Sequence, residues 1–342
     1  MSGLAPLRIA VLHGGPSTEH DISVWSSRGV LQTLRDLGHD AQPVYVDRAG
    51  FWHFGEAAGD DSAPALPLLA AMDRLKELRT EVAFMGFHGT YGEDGKVQAV
   101  LDLSGIRYTG SGVTASAAAM DKPLARRVFV GAGLPVADAR EVASSTVQTA
   151  PAADVVARGL VAALGLPVVV KVPAGGSSVG IEIPRDLAAL SDALVRLSVG
   201  VESLLCEQYV AGTELTAGIL EGPDGVPQML PIVEIVPVSA AFFDYEAKYQ
   251  DGATREICPA RIPDDVARQV AELGRAAHIA LGCRGVSRTD VIVRTDGKPF
   301  LLETNTLPGL TPASLLPKAA STAGLAYGQL LERIVAAALR VR

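Results

Sequence analysis

The chain has 342 residues, of which 48% are hydrophobic and 20% are charged, as in an ordinary soluble globular protein. This length is too great for one small core and suggests two or three domains. The net charge of −8 argues against a broad nucleic-acid-binding surface, which would show a basic patch. Three widely separated cysteines form no zinc or disulfide pattern, and neither a leader nor a membrane span is recognisable, so we expect a cytoplasmic protein.

The first third of the chain is predicted to alternate strands and helices. LRIAVLHGG predicts a buried strand, and ISVWSSRGVLQTLRDLG predicts an amphipathic helix that ends near Gly38. AQPVYVD and EVAFMGFHG predict further strands, and GKVQAVLDLSG predicts a helix. This alternation favours parallel strands joined by right-handed crossovers.

The turn after the first strand contains two acidic residues, Glu19 and Asp21. Open α/β sheets bind ligands at the carboxyl ends of their strands. Carboxylates at that place repel phosphate and attract an amine. The alternative is a helix N-terminus in which acids stabilise the first turn.

The segment GSGVTA, residues 110–115, fits the dinucleotide fingerprint G-x-G-x-x-G/A and lies between a predicted strand and helix. However, it follows the third βα unit instead of the first. No acidic residue ends a strand about twenty positions later, as such sites require. A nicotinamide site is therefore a weak alternative.

A glycine-rich loop interrupts the middle region, where GLPVVVKVPAGGSSVGIEI predicts a strand, a loop and a strand. Lys171 ends the first strand, and Gly175, Gly176, Ser177 and Ser178 follow. Glycine N–H groups can approach phosphate oxygens closely, serines add hydroxyl donors and the lysine adds charge. In a Walker A loop the lysine instead follows the glycines. The alternative is a flexible hairpin tip.

The remaining elements are helices and hairpins. DLAALSDALVRL predicts a helix, SLLCEQYV a strand, and ELTAGILEGPDGVPQMLPIVEIV a hairpin that turns at Asp224-Gly225. A polar loop, FFDYEAKYQDGATREICPA, precedes the helix DDVARQVAELGRAAHIALG, and a last helix begins near Tyr327.

The hairpin TDVIVRTDGKPFLLETN gathers charge at one end. A two-residue type I′ turn at Asp296-Gly297 would place Thr295 opposite Lys298 and Asp290 opposite Glu303. Facing carboxylates repel each other. Alternation adds Asn305 and Arg288 to the same face. Oxygen ligands of this kind suit a hard cation such as Mg²⁺, whose charge turns the repulsion into attraction. The alternative is a wet sheet end whose acids pair with Arg288 or a lysine.

At this point the chain resembles the D-alanine–D-alanine ligases of the ATP-grasp superfamily, from about Arg8 to the last helix. The resemblance rests on separated motifs in the family's order: HGGPSTEHDIS, FHGTYGEDGKVQ, YTGSGVTASAAAMDK, VVVK…GGSSVG, FFDYEAKY…CPA, SRTDV and LLETNTLPGLTPASL. One such motif is weak, but the ordered set is specific. It also reinterprets GSGVTA as a family loop.

The resemblance implies an N-terminal parallel α/β domain followed by an ATP-grasp fold, with ATP between two antiparallel sheets. The implied domains are residues 1–112, 113–209 and 210–342. The implied reaction is ATP-dependent ligation of two D-alanines through an acyl phosphate, for peptidoglycan precursors. A homodimer is implied, with two Mg²⁺ ions, or Mn²⁺ in their place, held by Asp290, Glu303 and Asn305.

The resemblance also implies a nucleotide site. Its residues would be Lys122, Lys171, Gly176, Ser177, Ser178, Glu207, Gln208, Val210, Glu214 and Lys248. The lysines at 122 and 171 would contact phosphates, and Gly176 and Ser177 would cap the transferring group. Glu207 would lie near the adenine and ribose. Main-chain groups of Gln208 and Val210 would read the base, and Glu214 would take a ribose hydroxyl.

The implied substrate residues are Glu19, Ile22, His88, Arg288, Gly309, Ser314 and Leu315. Glu19 would bind the ammonium of the first D-alanine, and His88 would lie near the substrate carboxylate. Arg288 and the Gly309 N–H would stabilise an oxyanion. Ser314 and Leu315 would receive the second carboxylate.

The polar loop would form a lid through Lys248 and Tyr249. Tyr249, Ser177 and Glu19 would make a hydrogen-bonded link that closes it.

The sequence departs from the family at three nucleotide-site positions. Many relatives have a proline at Val172, a glutamate at Gly175 and a lysine at Gln208. Two hypotheses about the ligase remain. In the first it joins two D-alanines, and in the second it uses another amino or hydroxy acid in antibiotic biosynthesis or resistance. A noncatalytic nucleotide-binding regulator and a nicotinamide dehydrogenase are the alternatives outside ligases.

Overall fold

Three β-sheets organise the chain in a computed structural model that describes residues 4–175, 180–237 and 254–340. The first sheet has the order β3-β2-β1-β4. Its strands are β1 (Arg8–Gly14), β2 (Asp40–Val46), β3 (Trp52–His53) and β4 (Val82–Met85). Strand β1 pairs in parallel with β2 and β4, as predicted, whereas the short β3 is antiparallel to β2. The helices of this region are α1 (His20–Asp36), α2 (Leu68–Glu77) and α3 (Lys96–Ser104).

Two helices lead from the first sheet to a smaller antiparallel sheet. These are α4 (Val113–Met120) and α5 (Lys122–Gly131), the second with Asp121 as its N-cap acceptor. The small sheet has the order β5-β8-β6-β7 and consists of β5 (Ala139–Ala143), β6 (Val168–Lys171), β7 (Ile181–Glu182) and β8 (Ser203–Gln208). Helices α6 (Ala150–Leu164) and α7 (Leu187–Leu197) share a hydrophobic core with it.

The third sheet is larger and also antiparallel, with the order β12-β11-β9-β13-β14 and β10 beside β9. Its strands are β9 (Gly212–Glu221), β10 (Pro227–Met229), β11 (Val233–Pro237), β12 (Thr254–Ile257), β13 (Val286–Arg294) and β14 (Pro299–Asn305). The helices of this region are α8 (Asp264–Leu281), α9 (Leu315–Thr322) and α10 (Tyr327–Leu339). The predicted pair of antiparallel sheets is therefore confirmed.

The structure adds α2, β3, β5 and α6 to the predicted elements, and β12 in the segment that was predicted to be a polar loop. In α6 the buried residues are Ala153, Ala157, Leu160 and Leu164, a helical spacing. Two of these four are alanines, which differ little in hydrophobic character from the alanines on the exposed side. The amphipathic pattern is therefore weak in the sequence, and packing against the small sheet decides the buried face.

The Asp296-Gly297 hairpin is correct as an element, but its predicted turn is wrong. The Arg294 N–H donates to the Lys298 carbonyl at 2.9 Å, so the loop comprises the three residues 295–297. Gly297 has φ +83°, whereas Asp296 does not adopt the positive φ that a type I′ turn needs. This longer loop shifts the register by one residue, and a β-bulge beside Asp290 then restores the Asp290–Glu303 pair.

A shared core joins the first sheet to the third. Buried residues of β1 and α1, such as Val11 and Leu34, belong to the same hydrophobic cluster as Leu220 of β9 and Leu330 of α10. This packing brings the carboxyl end of β1 toward the sheet that contains β13. Within the described residues, no helix combines the length and apolar character needed to cross a bilayer.

Candidate active site

The paired carboxylates lie at one end of the β13–β14 hairpin. Asp290 and Glu303 are directly opposite each other, as predicted. Asp290 is 7% exposed and accepts two hydrogen bonds from Arg288, both 2.9 Å long. Burial alone disfavours a charged guanidinium, but the charges of Asp290, Glu303 and Glu93 outweigh it and raise the pKa of Arg288. Without a ligand, Arg288 therefore balances the charge of Asp290, as the ion-pair alternative expects.

Asn305 completes the oxygen set on β14. It pairs with Arg288 across the two strands, and its Oδ1 accepts a 2.9 Å hydrogen bond from the Leu307 N–H. Among the described residues no three His, Cys, Asp or Glu side chains are grouped closely enough to hold a metal ion. A cation here would need Asn305 and oxygens of a bound molecule besides the two carboxylates. The donor types fit Mg²⁺, which keeps water or phosphate oxygens among its ligands.

Lys171 and Glu207 form an ion pair in the small sheet, close to the hairpin of the large one. The Lys171 Nζ lies 2.5 Å from Glu207 Oε2, and both side chains are mostly buried. Burial alone would lower the pKa of Lys171, but attraction to Glu207 and then to Glu303 raises it. The pKa of Lys171 thus depends on a carboxylate of the other antiparallel sheet as well as on its own partner.

Lys122 lies at the first position of α5. Its Nζ donates to the Gly175 carbonyl at 2.7 Å, and its N–H donates to the Pro173 carbonyl at 2.9 Å. Two lysines, 122 and 171, therefore flank the start of the glycine-rich loop. This arrangement places positive charge where the sequence predicted contacts with phosphate.

The remaining nucleotide candidates lie along β8, the linker after it and β9. The Gln208 side chain is exposed, and its N–H donates to the Asp138 carbonyl at 2.8 Å. Because that N–H is already used, only the carbonyl of Gln208 remains for a base. Val210 is buried, and Glu214 is half-buried on β9, where it pairs with Ile292 of β13.

A second group of charged residues gathers at the carboxyl ends of β1 and β4. Glu19, 8% exposed, precedes α1. A Cβ atom on Gly89 would lie 2.7 Å from Glu19 Oε2, so the two residues are in close contact. His88 Nε2 lies 3.2 Å from Ser26 Oγ in α1. The predicted neighbours Glu19 and His88 are thus together, and Ile22 is half-buried one turn along α1 from Glu19.

Glu93 belongs to this group and was missed by the sequence-based reasoning. Its Oε1 lies 3.7 Å from His88 Nδ1. Burial raises the pKa of Glu93, and the charge of Glu19 adds to the effect, although the nearby His88 opposes it. The signal was present in the GEDG turn five residues after His88. The charge of Glu93 also raises the pKa of Arg288.

The loop after β14 brings Gly309 to the start of α9. A Cβ atom on Gly309 would lie 2.9 Å from Ser314 Oγ. The Ser314 hydroxyl makes a 2.8 Å hydrogen bond with the Thr311 hydroxyl and does not cap the helix that starts at Leu315. The first N–H groups of α9 therefore lack a side-chain cap, which favours an anion at this end.

Some predicted site residues fall outside the described residues. They are Gly176, Ser177, Ser178, Lys248 and Tyr249. Their roles in capping the phosphoryl group and closing a lid stay predictions.

The GSGVTA segment is tied to the large sheet. The Arg284 Nε donates to the Gly110 carbonyl at 2.9 Å, and the Arg284 N–H donates to Ser111 Oγ at 3.1 Å. The Arg284 guanidinium also lies over the Tyr108 ring, 5.1 Å from its centre. These contacts use the segment as a packing element, which argues against the nicotinamide alternative.

Two family descriptions match most of the chain. "D-ala D-ala ligase N-terminus" matches residues 8–111, and "D-ala D-ala ligase C-terminus" matches residues 128–336. The chain belongs to the D-alanine–D-alanine ligase family. The resemblance seen in the motifs is thereby confirmed. Within this family the two antiparallel sheets and their charged ends correspond to an ATP-grasp fold.

Individual relatives extend the match over the whole chain. The D-alanine–D-alanine ligase of Anaeromyxobacter sp. strain Fw109-5 is 43% identical, over 96% of each chain. A solved D-alanine–D-alanine ligase from Bacillus anthracis in complex with ATP is 29% identical, with a TM-score of 0.76 over 98% of both chains. The VanG D-Ala:D-Ser ligase from Enterococcus faecalis is 27% identical, with a TM-score of 0.82 over 98% of this chain and all of that one. The fold is thus common to relatives that are named for different second substrates.

Proposed function

We propose that this protein is an ATP-dependent ligase that joins two D-alanine molecules into D-alanyl-D-alanine, for peptidoglycan precursors. The observation that carries the proposal is the meeting of three charged groups. Asp290 and Glu303 face each other beside Arg288, and Lys171 is paired with Glu207. Glu303 raises the pKa values of Lys171 and Arg288, Glu93 raises that of Arg288, and Glu19 raises that of Glu93, so the groups are linked in series. Membership of the ligase family supports the same activity.

In the first step, the carboxylate of one D-alanine attacks the γ-phosphorus of ATP, and ADP leaves as an acyl phosphate forms. Lys122 and Lys171 bind phosphate oxygens, a role supported by their places beside the glycine-rich loop. Gly176, Ser177 and Ser178 supply further donors to the transferring group. Glu207, the main chain of Gln208 and Val210, Glu214 and Lys248 hold the nucleoside and phosphates.

Asp290, Glu303 and Asn305 would hold two Mg²⁺ ions, or Mn²⁺ in their place. The facing carboxylates fit such ions because their like charges repel each other across the two strands, and a bound cation would offset this repulsion. When bound, these ions neutralise charge as the phosphoryl group moves.

Glu19 binds the ammonium of the first D-alanine, with Ile22 packing beside it and His88 near the carboxylate. Glu19 is buried, and its charge helps to raise the pKa of Glu93, so an ammonium group bound here would relieve the repulsion between the two acids. His88 contacts Ser26 and Glu93 on opposite sides, which fixes its ring.

In the second step, the amine of the second D-alanine attacks the acyl carbon, and inorganic phosphate leaves. Arg288 and the Gly309 N–H stabilise the tetrahedral oxyanion; a donor of this kind contributes about 3 kcal/mol. Ser314 and Leu315 bind the second carboxylate at the uncapped start of α9. Lys248 and Tyr249 cover the acyl phosphate and exclude water, with Tyr249 linked through Ser177 to Glu19.

We also propose that the protein acts in the cytoplasm as a homodimer. Its domains would be residues 1–112, 113–209 and 210–342. These boundaries agree with the three sheets, since residues 113–131 form the helices between the first two and Gly212 begins the third.

Phosphate release measured with D-alanine, D-serine, D-lactate and L-alanine tests the activity. We expect release that depends on ATP, Mg²⁺ and D-alanine, and loss of that release in Lys171→Met. If millimolar D-alanine gives no release while another acid does, the chain is a ligase for that acid. If ATP does not bind, the ligase proposal is wrong.

A further inference from the structure

Arg126 places a second cation beside Glu207, in the same cleft as Lys171. Arg126 lies on α5, and its Nη1 is 3.9 Å from Glu207 Oε1, too far for a hydrogen bond. This nitrogen is buried and has no hydrogen-bond partner among the described residues. Glu207 Oε2 is held by Lys171 at 2.5 Å. One carboxylate therefore lies between two cations, of which only Lys171 is within hydrogen-bonding distance.

The burial of these three side chains makes the arrangement consequential. Their exposed fractions are 19% for Arg126, 12% for Glu207 and 11% for Lys171. A buried guanidinium nitrogen without an acceptor is unfavourable, so a reason for keeping it is needed. A carboxylate that loses its only close cation in such surroundings is also strongly unfavourable. Both costs, the guanidinium nitrogen without an acceptor and the carboxylate without a cation, are avoided if Arg126 hydrogen-bonds Glu207 when Lys171 leaves it.

We propose that Arg126 is a positioning residue that takes over Glu207 when Lys171 turns to the phosphates of a bound nucleotide. The inference rests on the proposed role of Lys171 as a phosphate ligand. In the ligand-free protein Lys171 is held by Glu207. The phosphates of a nucleoside triphosphate attract Lys171 away from Glu207. Arg126 then forms a hydrogen bond with Glu207 Oε1, so the Glu207 carboxylate keeps a cationic partner. Arg126 therefore lowers the free-energy cost of releasing Lys171 and does not itself contact phosphate.

Binding measurements on variants test this exchange. Calorimetry with ATP and with adenosine is made on the wild type, Arg126→Met, Arg126→Lys and a matched control, Arg127→Met. Arg127 is the adjacent arginine, but it is exposed and lies 3.7 Å from Glu141 at the surface. We expect Arg126→Met to weaken ATP binding by about tenfold or more. Adenosine, which has no phosphate to draw Lys171, should bind equally to all variants, and Arg126→Lys should recover most of the ATP affinity.

A double-mutant cycle with Glu207→Gln separates the exchange from direct phosphate binding. Once residue 207 is neutral, Lys171 is no longer held by a charge, so adding Arg126→Met should change ATP affinity little. If Arg126→Met weakens ATP binding equally in both backgrounds, Arg126 contacts the phosphates and the inference is wrong. It is also wrong if Arg126→Met lowers only the melting temperature, or weakens adenosine and ATP alike.

The proposed function fails in a different way from this inference. If the wild type does not bind ATP, or if Lys171→Met binds ATP as tightly as the wild type, the role of Lys171 is wrong and the exchange falls with it. If ATP binding requires Lys171 while Arg126→Met binds as the wild type does, only the exchange is wrong.

Discussion

Arg288 and Arg294 each bind an aspartate two residues ahead on the same side of the β13–β14 hairpin, but in opposite surroundings. Arg288 with Asp290 is mostly buried, whereas Arg294 with Asp296 is more than 40% exposed on both side chains. An exposed pair of this kind contributes little to stability, while breaking a buried pair leaves an expensive charge. The hairpin therefore contains a buried ion pair and an exposed pair that serves as its control.

Arg288→Met should lower the free energy of unfolding by about 3 kcal/mol, because Asp290 loses its bidentate partner in a buried place. Arg294→Met should change it by less than about 1 kcal/mol. Chemical denaturation measures both. If Asp290 is a metal ligand, Mg²⁺ with a nonhydrolysable ATP analogue should stabilise Arg288→Met more than the wild type. An equal stabilisation of the two proteins would contradict the metal assignment.

Glu303→Gln should abolish phosphate release and leave the fold intact. The change removes a proposed metal ligand and also relieves the repulsion with Asp290 across the strands. Asp296→Asn, at the exposed tip of the same hairpin, is the control and should keep normal turnover. Near wild-type turnover of Glu303→Gln at saturating Mg²⁺ would contradict the assignment of Glu303 as a metal ligand.

Gly89→Ala should weaken binding of the first D-alanine. Gly89 has φ +74°, and a Cβ there would lie 2.5 Å from Ser17 Oγ and 2.7 Å from Glu19 Oε2. Both atoms end flexible side chains, so Glu19 is displaced and KM for D-alanine rises. Gly105→Ala is matched in backbone strain, with φ +70°, but meets nothing within 4 Å. Each substitution should cost about 1 kcal/mol of stability. Equal KM values for the two variants would count against Glu19 as the ammonium ligand.

His13 should make stability fall as the pH drops from 6.5 toward 4. Burial lowers the pKa of His13 from 6.5 to about 4, although the hydrogen bond that its Nδ1 donates to the Val11 carbonyl opposes the shift. Its Nε2 accepts a hydrogen bond from the Gly59 N–H, which a protonated ring could not do. Above pH 6.5 the ring is neutral in both the folded and the unfolded state. Its contribution to the free energy of unfolding is then fully present. Below that, the unfolded chain binds a proton that the folded one refuses, which removes about 3 kcal/mol by pH 4.

Denaturation of the wild type and His13→Asn across this range checks the expectation. The variant has no titrating ring at this position, so its deficit in the free energy of unfolding should shrink as the pH falls. A deficit that stays constant from pH 7 to pH 4 would show that His13 does not carry the pH dependence.

The element types were mostly predictable because α1 and α8 have apolar residues at helical spacing, and β1 and β13 contain short apolar runs. The pairing of Asp290 with Glu303 was predicted correctly, although the turn type from which it was predicted is wrong. The loop is one residue longer than predicted, and the bulge beside Asp290 compensates. A turn type depends on the φ angles of its residues, and tertiary packing can override a local preference of this size.

The site could be foreseen in part. The motifs named Lys171, Glu207 and Glu303 separately, but no local pattern states that a lysine of the small sheet feels the charge of a glutamate of the large one. Glu93 and Arg126 were missed for the same reason. Each is an ordinary charged residue in its own helix or turn, and its role follows from what lies opposite.

The sequence by itself determined the family, the alternation of elements and the chemistry of the side chains, because motifs and hydrophobic periods are properties of neighbouring residues. Only the tertiary structure decided which charges share a buried space. Arg288 is hydrogen-bonded to Asp290, and Lys171 forms an ion pair with Glu207. Arg126 lies next to the second pair without a hydrogen bond to it. The reason is physical: the interaction of two charges depends on their separation and on the water excluded between them, and folding sets both.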